Sequence, residues 1–298
     1  METEKDFNTL TVCELCKLAG VSRSGYYNWK RSESNRCKKE QQDQADFALI
    51  LNAYNYRGYA KGARSIYMRL LHQGIRMNLK KIRRLMKKYG LLCPIRKANP
   101  YRRMAKAIRT NAVADNRLNR EFREHGPRKV LLTDITYIPY QKEFCYLSVV
   151  KDAFTEEVLS YVLSNSLELD FVLETMEQLI RKHAVTFETD VMIHSDQGCH
   201  YTSVKFRQLL EEHQIRQSMS RRGNCWDNAP QESFFGHMKD ELSLKQKNWS
   251  TYDDVKHAID DWMDYYNHDR GQWELEKLAP CEFYNYINTG IHPLSMIH

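Results

Sequence analysis

Three acidic residues stand where the surrounding pattern asks for something else. Asp134 interrupts the apolar run "VLLTDITYI", Asp196 ends "VMIHSD" just before Gly198, and Glu232 lies in "DNAPQESFFGHMKDEL" (227–242), seven residues before Lys239. Burying a lone ionised carboxylate is very costly, so each acid needs a partner. Two turns of α-helix return to nearly the same direction, within about 20°. Glu232 and Lys239 therefore share one flank of a helix whose apolar stripe is Phe234, Phe235, Met238 and Leu242. A solvated charged edge accounts for Glu232 taken alone. A helix cap accounts for Asp196, because a helical pattern starts near Tyr201, but not for Asp134, which has strand residues on both sides. Convergence of the three at strand ends accounts for all of them. Like charges so gathered repel, and divalent cations remove the conflict. Carboxylate oxygens suit Mg²⁺, which takes one or two of them together with phosphate oxygens and water. Two such ions, roughly 3.5–4 Å apart, would stabilise the attacking and leaving oxygens of an in-line phosphoryl displacement.

The elements that must position these acids follow from periodicity. Residues 129–140, 144–154 and 157–164 read as three strands with short joints, an antiparallel meander. An amphipathic helix over 170–183, a strand over 191–196, a helix over 201–213, a strand over 215–220 and the helix bearing Glu232 complete the order βββαβαβα. That order predicts a mixed five-stranded sheet with flanking helices, an α/β core. His194 falls on the strand face of Asp196 and reads either as a neighbour that orients the site or contacts phosphate, or as a satisfied core histidine. Asp152 reads as structural. Asp227 and Asn228 read as caps of the helix, with Pro230 in its first turn. Arg221 and Arg222, beside a loop with Gly and Asn, suit contact with phosphate, with surface solvation as the alternative.

Charge divides the chain. The net +7 of the 298 residues is the sum of +17 over residues 1–125 and −10 over the remainder. Residues 51–110 hold 17 basic residues and no acidic one. Single-signed charge of this density points to a polyanion, most often nucleic acid. A membrane surface is disfavoured because Gly and Pro cut the basic stretch. No apolar run approaches the roughly 20 residues of a membrane span. The acidic start "METEKDF" has no secretory pattern, so the expected compartment is the cytoplasm, at the nucleoid. Cys13 and Cys16 form the one C-x-x-C; without a second pair or a nearby His, they read as two cysteines on a helix.

Residues 11–32 read as helix, tight turn at Gly20 and helix, with Ser22 as N-cap and Arg23 and Lys30 on the second helix. This is helix-turn-helix spacing. Helices over 44–55, 62–74 and 78–90 follow. The last has Asn78 as N-cap, an apolar stripe of Leu79, Ile82, Leu85 and Met86, and Lys80, Lys81, Arg83, Arg84, Lys87 and Lys88 on the rest. With no acid nearby to balance them, these six suit phosphate contact better than a merely solvated face. The expected organisation is a helix-turn-helix (1–40), a second basic helical module (41–92), a basic Pro-containing linker (93–127), a catalytic core (128–245) and a C-terminal helical extension (246–298).

Thirty-five residues separate Asp196 from Glu232. "IHSDQGCHYTS", "SMSRRGNCWDNAPQESFFGHMKDEL" and "LLTDITYI" together resemble the catalytic core of the insertion-sequence-three family of DDE transposases, second-frame product, akin to retroviral integrases. The match covers most of the chain, and the tail resembles the family's terminal motif through Tyr266, Asn267, Arg270, Leu275, Pro280 and Phe283. Val130 departs from the pattern, standing where the family usually has Trp, and the sequence around Trp273 is atypical. The resemblance implies an RNase H-like fold in which Asp134, Asp196 and Glu232 form the DDE triad and hold Mg²⁺ or Mn²⁺, two ions. It implies that Lys239 touches DNA phosphate near the cut, and that Gln197 and Tyr201 belong to the motif. The implied reaction is attack by water on DNA, followed by attack of a DNA 3′-OH on a second phosphodiester, with no covalent protein–DNA intermediate. The implied partners are the element's terminal inverted repeats, target DNA, further copies of the chain in a dimer or larger assembly, and an upstream-frame product as fusion or partner. Two alternatives stand beside this reading: an RNase H-like nuclease that cuts without joining, and a DNA-binding regulator with an inactive core.

Overall fold

The computed structural model describes residues 10–93, 116, 118, 122–183, 187, 190–220 and 228–295. Most of the expected linker, Arg221, Arg222 and Asp227 lie outside the described residues.

The N-terminal part is helical: α1 (Val12–Leu18), α2 (Arg23–Arg31), α3 (Glu33–Asn55), α4 (Ala63–His72) and α5 (Leu79–Lys88). Local chemistry sets the helix starts. Thr11 and Glu14 form a capping box on α1, the Ser22 hydroxyl accepts from the Gly25 N–H at 3.0 Å, and the Asn78 carbonyl oxygen accepts from the Lys80 N–H at 2.8 Å. α3 begins at Glu33 rather than near residue 44, because Ser32 closes α2 and opens α3 with no intervening loop. Ile50, Ala53, Ile66, Leu70, Ile82 and Leu85 make the core of α3–α5. In the α1–α2 hairpin only Cys16 is buried.

The core contains β1 (Val130–Tyr140), β2 (Glu143–Asp152), β3 (Val158–Ser164), α6 (Asp170–His183), β4 (Met192–Ser195), α7 (Val204–Glu212), β5 (Arg216–Met219) and α8 (Ala229–Gln246). The five strands lie in the order β3-β2-β1-β4-β5. β1, β2 and β3 are antiparallel neighbours, whereas β4 and β5 run parallel to β1. Strand alternation separates the faces. Leu147 and Val149 face α8 and the following helix α9 (Tyr252–His268), where Phe234, Met238, Ile259 and Trp262 meet them. Leu131 and Val150 face the other side, with Phe171, Met176, Phe206 and Leu210 of α6 and α7. Val130 is buried with Leu118, Leu132, Ala153 and Met192, filling the position without a larger ring.

α9 packs on α8, and α10 (Pro280–Thr289) packs on α9. Glu241 of α8 accepts from Trp262 Nε1 at 3.0 Å and from Arg270 Nε and Nη2 at 3.0 and 2.9 Å. Asn267 holds both backbone groups of Val158, donating to its carbonyl at 2.8 Å and accepting from its N–H at 2.9 Å, which ties the tail to edge strand β3. The same tail receives the basic helical module. Arg57, in a left-handed turn with φ 58°, donates to Asp261, Asp264 and Asp269 at 3.0, 2.6 and 2.8 Å, and His72 meets Glu282 at 3.0 Å.

Candidate active site

β1 and β4 pair in parallel with Leu132 opposite His194. Asp134 lies two residues beyond Leu132 and Asp196 two beyond His194, just past the end of β4, so the two aspartates stand at the same end of the parallel ladder. Asp134 is half-buried, and its Oδ1 accepts from the Ile135 N–H at 2.8 Å. Asp196 follows the last residue of β4 and is exposed; its Oδ1 accepts from the Gly198 N–H at 2.8 Å. A Cβ at Gly198 would come within 2.8 Å of that oxygen, so a larger residue there would force the carboxylate to shift. Glu232 and Lys239 are exposed on α8.

The electrostatics join these groups. Burial pushes the Asp134 carboxyl well above the ordinary carboxylate range; the charge of Asp196 adds to the push, and Glu232 contributes further. The Ile135 N–H and the Lys239 charge oppose the shift. The surrounding protein likewise raises Asp196, against the Gly198 N–H and the His200 charge. Beneath them, Tyr201 is fully buried, and burial together with the charges of Asp134 and Asp196 keeps its phenol protonated. Crowded carboxylates of this kind are what a divalent cation relieves. Among the described residues, no three His, Cys, Asp or Glu side chains stand close enough to hold one ion between them. The donor chemistry fits Mg²⁺ or Mn²⁺ at the two aspartates, and the charge of Glu232 on α8 reaches Asp134.

The integrase core domain family model matches residues 124–225, a second integrase core domain model matches 213–280, and an HTH-like domain model matches 41–99. "Putative transposase InsK for insertion sequence element IS150" of Escherichia coli (strain K12) is 33% identical over 273 residues, 91% of this chain and 93% of its own. The chain belongs to the insertion-sequence-three family of transposases. "Insertion element IS600 uncharacterized 31 kDa protein" of Shigella sonnei is 30% identical over 90% of this chain and 97% of its own. The HTLV-2 integrase catalytic core domain in complex with magnesium (trimeric form) aligns at a TM-score of 0.43 and 18% identity, over 53% of this chain and 96% of that one. The mixed sheet, its flanking helices and the matched family models make the core RNase H-like, with an HTH-like helical region before it.

Other residues of the transposase motifs take more definite places than their spacing gave them. Asn228 occupies the N-cap position of α8 but makes no side-chain cap hydrogen bond; its Nδ2 donates instead to Asp134 Oδ2 at 3.2 Å. Asp196 does not cap α7, which Ser203 caps through a 3.2 Å bond from the Phe206 N–H. His194 is fully buried, its ring nitrogens meeting the Ser218 and Ser220 hydroxyls at 2.9 and 3.1 Å, the arrangement of a satisfied core histidine tying β4 to β5. Gln197 Nε2 donates to the Ser220 carbonyl at 3.0 Å. Asp152 is structural: its oxygens accept from the Arg128, Phe154 and Thr155 N–H groups and the Thr155 hydroxyl.

The helical modules correct one expectation. The basic residues of α5 do not go unbalanced, because α3 brings acids to them. Lys81 pairs with Asp46, Arg84 with Asp43 at 2.6 Å, and Lys88 with Asp43 at 2.9 Å and with Glu40. Hydrogen bonds from Arg84, then Lys88, hold the Asp43 carboxyl well below its usual range. These acids lie some 35 to 48 residues upstream, too far for charge counting along the chain to find. Lys80, Arg83 and Lys87 form the next stripe of α5 and are exposed. Arg23 and Lys30 of α2 are exposed as well.

Proposed function

We propose that this chain binds the terminal inverted repeats of its element and catalyses divalent-metal-dependent DNA cleavage followed by 3′-OH strand transfer. The observation that carries the reading is the β1–β4 ladder, beyond whose last pair, Leu132 and His194, stand Asp134 and Asp196, together with the charges of Asp196, Glu232 and Lys239 that reach Asp134. Asp134, Asp196 and Glu232 would hold Mg²⁺ or Mn²⁺, two ions. When bound, such ions supply Lewis-acid stabilisation to the attacking and leaving oxygens of the phosphodiester. The chain's own residues supply the rest. Gly198 and Ile135 orient the two aspartates through their N–H groups. Lys239, on the flank of Glu232, meets a DNA phosphate near the cut, and Arg221 and Arg222 hold the strand. In the first step a water oxygen bonds to phosphorus and the DNA 3′-oxygen leaves; in the second that 3′-OH attacks a target phosphodiester and displaces its 3′-oxygen.

Lys80, Arg83 and Lys87 of α5, with Arg23 and Lys30 of α2, contact phosphates of the repeat. Lys81, Arg84 and Lys88 remain basic but share their charge with α3. Two element ends must be brought together, so a dimer or larger assembly forms on DNA, with an upstream-frame product as fusion or partner. The site of action is the cytoplasm, at the nucleoid. Among the described residues no helix is long and apolar enough to cross a membrane.

Glu232→Gln tests the reading with a labelled 3′-OH repeat end and a target plasmid. Joining falls by about a hundred- to a thousandfold, on the order expected when a charge-stabilising group of a transition state is removed, while repeat binding stays near the parental level. Unchanged joining by the variant refutes the assignment. Cleavage without any joined product favours the nuclease alternative.

A further inference from the structure

The first turn of α8 carries Glu232 and is held by two side chains that do not stabilise it in the ordinary way. Lys151 of β2 is fully buried. Its ammonium donates to Glu156 Oε2 at 2.6 Å and to the Pro230 carbonyl at 3.3 Å, and lies 5.3 Å from the centre of the Phe234 ring. A helix N-terminus carries partial positive charge, so a cation beside it is unfavourably placed. Taking that cation out of water is a further cost, and a buried ion pair often contributes no more stability than apolar residues of similar volume. Asn228 shows the same pattern. A residue type suited to capping the helix leaves the cap unmade and donates across the site to Asp134. Both contacts bridge the sheet that carries Asp134 and the helix start that carries Glu232.

We infer that Lys151 and Asn228 are positioning residues that fix where Glu232 stands relative to Asp134. The inference rests on the reading of these acids as metal-holding groups. Lys151 holds the first-turn backbone through Pro230, and Asn228 holds the Asp134 carboxylate to the residue that opens α8. The helix start, rather than local sequence, sets where Glu232 stands relative to Asp134. Mg²⁺ tolerates little departure from its octahedral geometry, so a shift of this turn weakens metal binding before it affects the fold.

The test uses the full chain with Lys151→Met and, separately, Asn228→Ala. Methionine keeps apolar contact with Phe234, and Glu156 retains Arg123 at 3.5 Å. Two readouts are taken: Mn²⁺ binding, from the paramagnetic signal of the free ion, and hydrogen exchange of the Phe234, Phe235 and Gly236 amides, whose helical acceptors are the carbonyls of Pro230, Gln231 and Glu232. Each variant is expected to bind Mn²⁺ at least tenfold more weakly and to exchange those amides at least tenfold faster. Exchange over Met238–Leu242 and the thermal midpoint stay at parental values. Parental exchange and parental Mn²⁺ binding in both variants would overturn the inference, as would faster exchange spread evenly along α8, which marks general destabilisation. If Lys151→Met does not fold, Asn228→Ala decides alone by the same criteria. Equal Mn²⁺ binding by the parent and Asp134→Asn would instead sink the metal-site reading, and the exchange measurement would still decide whether the helix start is held as described.

Discussion

The two basic stripes of α5 differ in what remains of their charge, and salt dependence can separate them. Lys80 and Lys87 are seven residues apart, with Arg83 between them, and all three are exposed; Lys81, Arg84 and Lys88 lie one position on and face the acids of α3. Each lysine or arginine that neutralises a phosphate of duplex DNA contributes about 0.9 to the slope of log affinity against log salt. If Lys80, Arg83 and Lys87 each meet one phosphate, replacing all three with glutamine lowers the slope by about 2.7. Between 50 and 200 mM salt the parent then loses about 40-fold more affinity than the variant does. The doubly neutral exchange Lys81→Gln/Asp46→Asn removes a pair rather than a free cation, and is expected to move the slope by less than about 0.3. Fluorescence anisotropy of a labelled repeat-end duplex, titrated across that salt range, reads both. The reasoning fails if the triple variant changes the slope by less than about one, or if the neutral pair changes it as much as a single exposed cation does.

Three further outcomes follow from the geometry. Gly198→Ala places a methyl within 2.8 Å of Asp196 Oδ1; metal-dependent joining is expected to fall by at least tenfold while the far-ultraviolet circular dichroism stays unchanged, and full joining would show that the turn does not set the carboxylate. Glu241→Ala strands the Arg270 guanidinium and the Trp262 N–H inside the tail packing, and urea unfolding should register a loss of about 3–5 kcal/mol, as for other broken buried pairs. At His72, burial pulls the imidazole pKa down, but hydrogen bonding to Glu282 and to the Met68 carbonyl raises it above its ordinary value of 6.5, and Glu282 is lowered. The histidine's contribution is therefore complete below its unfolded pKa and lost as pH rises through the raised one, whereas the glutamate's is complete above its unfolded pKa and lost as pH falls through the lowered one. The urea midpoint of the parent should decline more steeply than that of His72→Gln as pH rises from 6 towards 8, and parallel profiles would count against the pair.

Much of the core was legible because periodicity is local. Short apolar runs marked the strands around Asp134 and Asp196, and the 3.6-residue stripe of Phe234, Phe235, Met238 and Leu242 gave α8 its buried face. Caps at Ser22 and Asn78 were readable for the same reason, since a cap is a contact between residues two or three positions apart. The sequence also determined the family, through long motifs whose residues lie close together. What it could not determine was the choice of partner across tens or hundreds of residues. Only the tertiary structure paired Leu132 with His194 and so brought Asp134 and the charge of Asp196 to one end of the sheet. It turned Asn228 from a cap into a donor to Asp134, gave His194 to Ser218 of β5 and to Ser220 just beyond it, and brought Asp43 and Asp46 to a helix that looked unopposed. A side chain's nearest donor or charge is fixed by how sheet and helices pack, and packing minimises the cost of burying polar groups over the whole fold, a quantity no short window of residues contains.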